Sequence, residues 1–209
     1  MTPVQAALGF TGVAAVLTIT PGLDTALVLR TAAVEGPRRA LLAGAGICLG
    51  CLVWGLAASA GIGALVAASS AGFEVLRWAG AAYLLYLGGR LLLRPSLGQF
   101  PDARAPGPAS PGGWFLRGLL TNLLNPKVAV FYATLLPQFV PPGVPATPFS
   151  MLLAGIHAAE GIIWFGVVVA ATRQLSVWLS RPRVTAWLDR ATGLLLLGFG
   201  LGLVLERSR

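Results

Sequence analysis

The chain has 209 residues, of which 56% are hydrophobic and 11% are charged, and its mean hydropathy is +0.79. This composition excludes an ordinary soluble domain. A helix needs about 20 apolar residues to cross a bilayer core of about 30 Å, so the chain has room for six spans and the loops between them. The apolar runs are continuous rather than alternating, which predicts helices instead of an outer-membrane barrel.

Fifteen basic side chains against seven acidic ones give a net charge of +8. The basic residues are spread over the connections between apolar runs and are not gathered on one face, so we expect no binding of nucleic acid. Contact with the lipid bilayer and its anionic headgroups accounts for this distribution instead.

Six apolar segments follow one another between clusters of charge and proline. They predict an all-α membrane protein with a single transmembrane domain at residues 1–209, in which one half (about 1–94) is joined to the other (about 114–209) by a loop (about 95–113) rich in proline, glycine and serine. The predicted spans are about Val4–Leu29, Leu41–Ser69, Val75–Leu93, Phe115–Val140, Phe149–Ala171 and Ala186–Leu205.

Arginines mark alternate connections between these spans. They cluster after the first span, around the central loop and before the sixth span, whereas residues 69–74 and 141–148 contain no basic residue. Because basic loops stay in the cytoplasm, we expect both termini outside. Each half has an odd number of spans, so an internal repeat must be inverted, and Thr20-Pro21 does recur as Asn125-Pro126, 105 residues later.

These two pairs predict helices 1 and 4 to be broken near the membrane midplane. Threonine and asparagine cap helices, and proline is favoured at the first helical position, so each pair has the pattern of a new half-helix start. Gly22 leaves room for close approach of another chain segment. Free N–H groups at a half-helix start suit a carboxylate, as in secondary transporters. The alternative is that both prolines merely kink packed helices.

Charged residues within the spans are costly and suggest function. Asp24 follows the first break, Lys127 lies at the second, and Glu160 lies in the fifth span with His157 on the same helix face. Asp24 and Glu160 are candidates to bind an ammonium group or a coupling proton, and Lys127 to hold a carboxylate or neutralise Asp24. The structural alternatives are a buried Asp24–Lys127 pair, Glu160 satisfied by neighbouring hydroxyls, and a packing role for His157 rather than a proton relay.

Small residues in the second span are interpreted as packing elements. Cys48 and Cys51 form a C-x-x-C pair without a second pair or a βαβ context, so we expect no metal and no redox cofactor. Gly44, Gly46 and Gly50 allow close helix approach. Such faces are compatible with internal packing and with a homo-oligomer alike.

Three motifs resemble those of the LysE/RhtB family of amino-acid exporters. They are residues 20–24 (Thr-Pro-Gly-Leu-Asp), residues 78–88 around Trp-Ala-Gly-Ala-Ala-Tyr-Leu, and residues 122–127 (Asn-Leu-Leu-Asn-Pro-Lys) followed by Pro-Gln-Phe at 137–139. Leu23 stands where the family usually has a second proline. The resemblance implies six spans in a prokaryotic inner membrane and efflux of an amino acid or related metabolite driven by protons.

We therefore predict a secondary transporter. The substrate-binding residues are expected to lie at the two breaks, and the coupling residues to be Asp24, Glu160 and His157. A single histidine and the lack of a glycine-flanked serine motif argue against an intramembrane enzyme. An exporter or channel for an inorganic ion is the main alternative. The predicted substrate site consists of Thr20, Pro21, Gly22, Asp24, Asn122, Asn125, Pro126 and Lys127.

Overall fold

The computed structural model describes residues 1–20, 22–67, 78, 81–82, 85–86, 88–90, 92–93, 110–172 and 181–205. These residues form helices and no strand, as predicted. The helices are α1 (Pro3–Ile19), α2 (Leu23–Val34), α3 (Pro37–Ala67), α4 (Pro111–Leu123), α5 (Pro126–Val130), α6 (Ala146–Ala170) and α7 (Pro182–Leu205). A π-helical turn, Phe131–Leu135, and a 3-10 turn, Leu136–Phe139, continue α5.

Local sequence signals explain where several helices begin. Thr2 accepts a hydrogen bond from the Gln5 amide at 3.3 Å, while the Gln5 side chain accepts one from the Thr2 amide at 2.9 Å, so α1 starts with a capping box. Ser110 caps α4 by accepting from the Gly113 amide at 3.2 Å. In both helices a proline occupies the first turn, where its missing N–H costs nothing.

In the part of the chain that the structure describes, two helices are long and apolar enough to cross a membrane, over Pro37–Gly61 and Ala146–Ala170. Two further pairs qualify when each is taken as one bent span: Pro3–Ile19 with Leu23–Val34, bent by 51°, and Gly112–Leu123 with Lys127–Phe139, bent by 55°. These four correspond to the predicted second, fifth, first and fourth spans. The third predicted span lies mostly outside the described residues, and α7 covers the sixth.

The long helix α3 is central, because it packs extensively against both α4 and α6. Glycines bring α3 and α4 into backbone contact: a Cβ at Gly46 would collide with the Phe115 carbonyl, and one at Gly118 with the Ala43 carbonyl. Large side chains such as Leu56, Ile162 and Ile163 are instead exposed, as expected for a surface covered by lipid. This arrangement places both bent pairs beside α3.

Candidate functional site

The first break lies where predicted, but its caps differ from the sequence interpretation. α1 ends at Ile19, and Thr20 is its C-terminal cap: its hydroxyl donates to the Val16 carbonyl at 2.6 Å. The next helix begins only at Leu23, with Gly22 as an N-cap that offers no side-chain hydrogen bond. The prediction that Thr20 caps the second half-helix is therefore wrong. Pro21 lies outside the described residues.

Thr20 also connects the break to a distant helix. Its hydroxyl lies 2.7 Å from the hydroxyl of Thr192 on α7, and both residues are buried. Because the Thr20 hydroxyl proton is directed to the Val16 carbonyl, Thr192 is the donor in this pair. The end of α1 is thus fixed against α7.

The second break has the caps that the sequence predicts. Asn125 is the N-cap of α5, and its side-chain oxygen accepts from the Lys127 amide at 3.1 Å. Pro126 follows within the first turn, where its ring suits a helix start. The asparagine and proline therefore interrupt the fourth predicted span and redirect the chain by 55°.

Lys127 reaches from the second break to the first. Its ammonium group donates to the Leu17 carbonyl at 3.2 Å and to the Thr20 carbonyl at 3.1 Å. The last carbonyls of a helix have no partners within the helix and carry partial negative charge, so a cation stabilises them. Gly22 lies beside the same side chain, since a Cβ there would be 3.8 Å from Lys127 Nζ. One charged side chain thus bridges the two broken helices.

Asp24 lies in the first turn of α2, where the helix dipole favours a negative charge. Its Oδ2 accepts a hydrogen bond of 2.8 Å from the amide group of Asn122, which is fully buried on α4. Its Oδ1 is shielded from solvent and has no hydrogen-bond partner among the described residues. Half of this carboxylate is therefore held by the protein, and half is left for another donor.

His157 contacts the segment after the second break rather than Glu160. Its Nδ1 lies 3.0 Å from the hydroxyl of Tyr132, which belongs to the π-helical turn, and its ring also packs against Phe131 with centroids 5.3 Å apart. Glu160 is one turn further along α6. Both of its carboxylate oxygens are shielded and have no hydrogen-bond partner in the part of the chain that the structure describes. The predicted hydroxyl partners of Glu160 are not found among those residues.

A cavity of about 40 Å³ lies between the two breaks. It brings together seven of the predicted site residues, whereas Glu160, which the structure describes, is not among its lining residues. Both cysteines also line it, and both are buried, as the sequence predicts. The lining residues comprise Leu17, Thr18, Thr20, Gly22, Asp24, Thr25, Ile47, Cys48, Cys51, Asn122, Asn125, Lys127, Val128, His157, Gly161 and Phe165.

Sequence reasoning did not single out Phe165, which lines the cavity, or Tyr132 and Thr192, which hydrogen-bond to the lining residues His157 and Thr20. Tyr132 had one usable signal, because a tyrosine within an apolar span needs a partner for its hydroxyl. Phe165 and Thr192 had none. Among the described residues no group of three or more histidine, cysteine and acidic side chains is placed to hold a metal ion.

The sequence matches one family and several named proteins. Residues 15–207 match the LysE type translocator family. The chain is 31% identical over 193 residues to the threonine efflux protein of Salmonella typhi, covering 90% of this chain and 92% of that protein. It is 29% identical over 184 residues to the homoserine/homoserine lactone efflux protein of Salmonella typhimurium, covering 88% of each.

A third relative is the uncharacterized membrane protein YrhP of Bacillus subtilis, 29% identical over 201 residues that cover 93% of this chain and 96% of that one. No solved structure matches. The family match spans nearly the whole chain and agrees with the apolar helices. The chain therefore belongs to the LysE type translocator family, and it is a membrane transport protein rather than an enzyme.

Proposed function

We propose that the protein exports a small amino acid from the cytoplasm by alternating access, and that the cavity between the two helix breaks is its substrate site. The observation that carries this proposal is the convergence of both breaks on one cavity, with Asp24 from the first and Asn122 and Lys127 from the second. The names of the efflux relatives make threonine and homoserine the first substrates to test.

The charges in the cavity complement a zwitterion. The unpartnered Oδ1 of Asp24 is a strong acceptor for the substrate ammonium group. The substrate carboxylate is received by Lys127 and by free N–H groups near Gly22, where α2 begins. Thr20, Pro21, Asn125 and Pro126 shape the two breaks that bring these groups together. A cavity of about 40 Å³ holds a few water molecules, so the breaks must separate to admit an amino acid.

Six spans arranged as two inverted three-helix repeats give this site its symmetry. Helices bent by 51° and 55° at corresponding positions in the two halves support such a repeat. In transporters built this way, discontinuous helices meet near the bilayer midplane, and rocking of one repeat against the other exposes the site to each side in turn. The two bends would then be hinges as well as binding elements.

Protons drive the export in this proposal, with Asp24, His157 and Glu160 as coupling residues. A shielded carboxylate without a partner is costly while charged, and both Glu160 oxygens are in that situation among the described residues. Such a group suits reversible protonation during the cycle. His157 lines the cavity and lies one turn before Glu160 on α6.

The proposed location is the inner membrane of a prokaryote, with both termini outside. Val144 lies in the arginine-free connection between the 3-10 turn and α6, which this orientation places outside. A cysteine introduced at Val144 in a cysteine-free variant should react with a membrane-impermeant thiol reagent added to intact cells. Reaction only after the inner face is exposed would reverse the orientation.

Flux measurements in proteoliposomes test the function. We expect export of labelled threonine or homoserine that depends on a pH gradient, and loss of most of this flux in D24N and of its pH dependence in E160Q. The matched control is E35Q, because Glu35 pairs with Arg39 at 2.6 Å away from the cavity. Threonine flux that is unaffected by D24N contradicts the site. Ion flux without amino-acid flux would favour an inorganic-ion exporter.

A further inference from the structure

The apolar end of the cavity is built from two helices. On α6, His157, Gly161 and Phe165 are spaced four residues apart, so they follow one another along a single face, and all three line the cavity. Gly161 lies between Cys48 and Phe165: a Cβ there would lie 3.1 Å from the Cys48 sulfur on α3 and 3.7 Å from the Phe165 ring. Cys48, Gly161 and Phe165 therefore form one continuous patch of wall.

Phe165 is the bulky member of this patch, and α3 fixes its position. It is 5% exposed, and its ring lies against Gly44, where an added Cβ would be 3.2 Å from both Cβ and Cδ2 of the phenylalanine. Gly44 itself is not among the lining residues. Helix α3 thus supports the ring from behind, while the ring faces the cavity.

The polar groups of the cavity cluster around the two breaks. Lys127 Nζ is bonded to the Leu17 and Thr20 carbonyls and lies near Gly22, and Asp24 is held by Asn122. An amino acid whose ammonium and carboxylate groups occupy that cluster must place its side chain against the remaining, apolar wall. Shape rather than hydrogen bonding then decides which side chains fit.

We propose that Phe165 is the specificity-determining residue of the cavity: its ring limits the substrate side chain to a small one, and Gly44 keeps the ring in place. This inference rests on the proposed amino-acid export. Truncation of Phe165 enlarges the apolar end and admits branched or aromatic side chains. A methyl group at position 44 acts only through Phe165, because it displaces the ring from α3.

The experiment compares labelled serine, threonine, leucine and phenylalanine in proteoliposomes containing wild-type protein, F165A or F149A. Phe149 is the matched control, since it is a buried phenylalanine of the same helix that is not among the lining residues. We expect F165A to raise the ratio of leucine to threonine flux at least about tenfold, the scale of discrimination that an apolar pocket provides. F149A should leave this ratio unchanged.

Substitution of Gly44 gives a second test of the role of Phe165. G44A should change the serine-to-threonine ratio in the wild-type protein and leave it unchanged when combined with F165A. If F165A does not accumulate, F165L carries the same test with a smaller shift in the same direction. If the leucine-to-threonine ratio is unaltered in the truncated variants, the role of Phe165 is overturned. Threonine flux in the wild type would in that case still support the proposed export. A wild-type protein that moves none of the four amino acids instead overturns the proposed function.

Discussion

Replacing Gly50 with alanine tests how the Asp24 carboxylate is positioned. Gly50 lies on α3 directly beside Asn122, and an added Cβ would overlap the Asn122 side-chain oxygen and approach its Cβ and Cγ to 2.9 Å. Asn122 is fully buried and its amide group donates to Asp24, so a displacement of this side chain changes that bond. We expect G50A to turn Asn122 away from Asp24.

The size of the effect follows from that hydrogen bond. A hydrogen bond to a charged group contributes about 1.5–3 kcal/mol, which corresponds to roughly a ten- to hundredfold loss of apparent threonine affinity. Overpacking adds about 1–3 kcal/mol of lost stability. N122A removes the same hydrogen bond together with the Oδ1 and Cγ atoms that the new methyl group meets, so G50A combined with N122A should transport threonine as N122A alone does. The Cβ at position 122 stays 2.9 Å from the new methyl group, so the double variant should still lose stability.

Threonine flux in proteoliposomes and thermal stability in detergent measure the two effects separately. G61A is the control, because Gly61 lies on the same helix and an added Cβ there meets nothing within 4 Å. G61A should retain wild-type flux. The reasoning is refuted if G50A transports threonine as the wild type does, or if the losses in G50A and N122A multiply in the double variant.

Two further predictions concern the groups that join the second break to its surroundings. K127M removes two hydrogen bonds to the Leu17 and Thr20 carbonyls, so it should lower both thermal stability and threonine flux. K127R should restore part of the stability. A K127M protein as stable as the wild type would contradict the bridging role. Y132F removes the hydroxyl that pairs with His157 Nδ1 and should alter the pH profile of threonine flux, because that hydroxyl fixes the tautomer of the ring. Identical pH profiles for the wild type and Y132F would assign His157 to packing.

The second break could be predicted from sequence because its signal is local. Asn125 accepts from the amide of Lys127, two residues later, and Pro126 follows it directly. Thr20 was assigned the wrong role because a threonine hydroxyl can either cap a following helix or donate to the carbonyl four residues back. Its bond to Thr192, 172 residues away, favours the second arrangement, and no local pattern contains that contact.

The composition of the cavity wall could be predicted only in part. Charged residues within spans stand out, which is why Asp24 and Lys127 were found, but the carbonyl partners of Lys127 lie about 110 residues earlier in the chain. Helices α3 and α6 carry apolar residues on every face, so periodicity alone does not show which face is turned inward. Phe165 is therefore indistinguishable by sequence pattern from residues that face lipid.

Substrate protection of a native thiol tests the central claim most directly. The chain contains two cysteines, Cys48 and Cys51, and both line the cavity. In a C51A variant that still exports threonine, a small methanethiosulfonate reagent should modify Cys48, and saturating threonine should slow that reaction several-fold. A cysteine at Val144 in a cysteine-free variant should react at the same rate with and without threonine. Unchanged Cys48 modification in the presence of saturating threonine, with export intact, would contradict a substrate site between the two breaks.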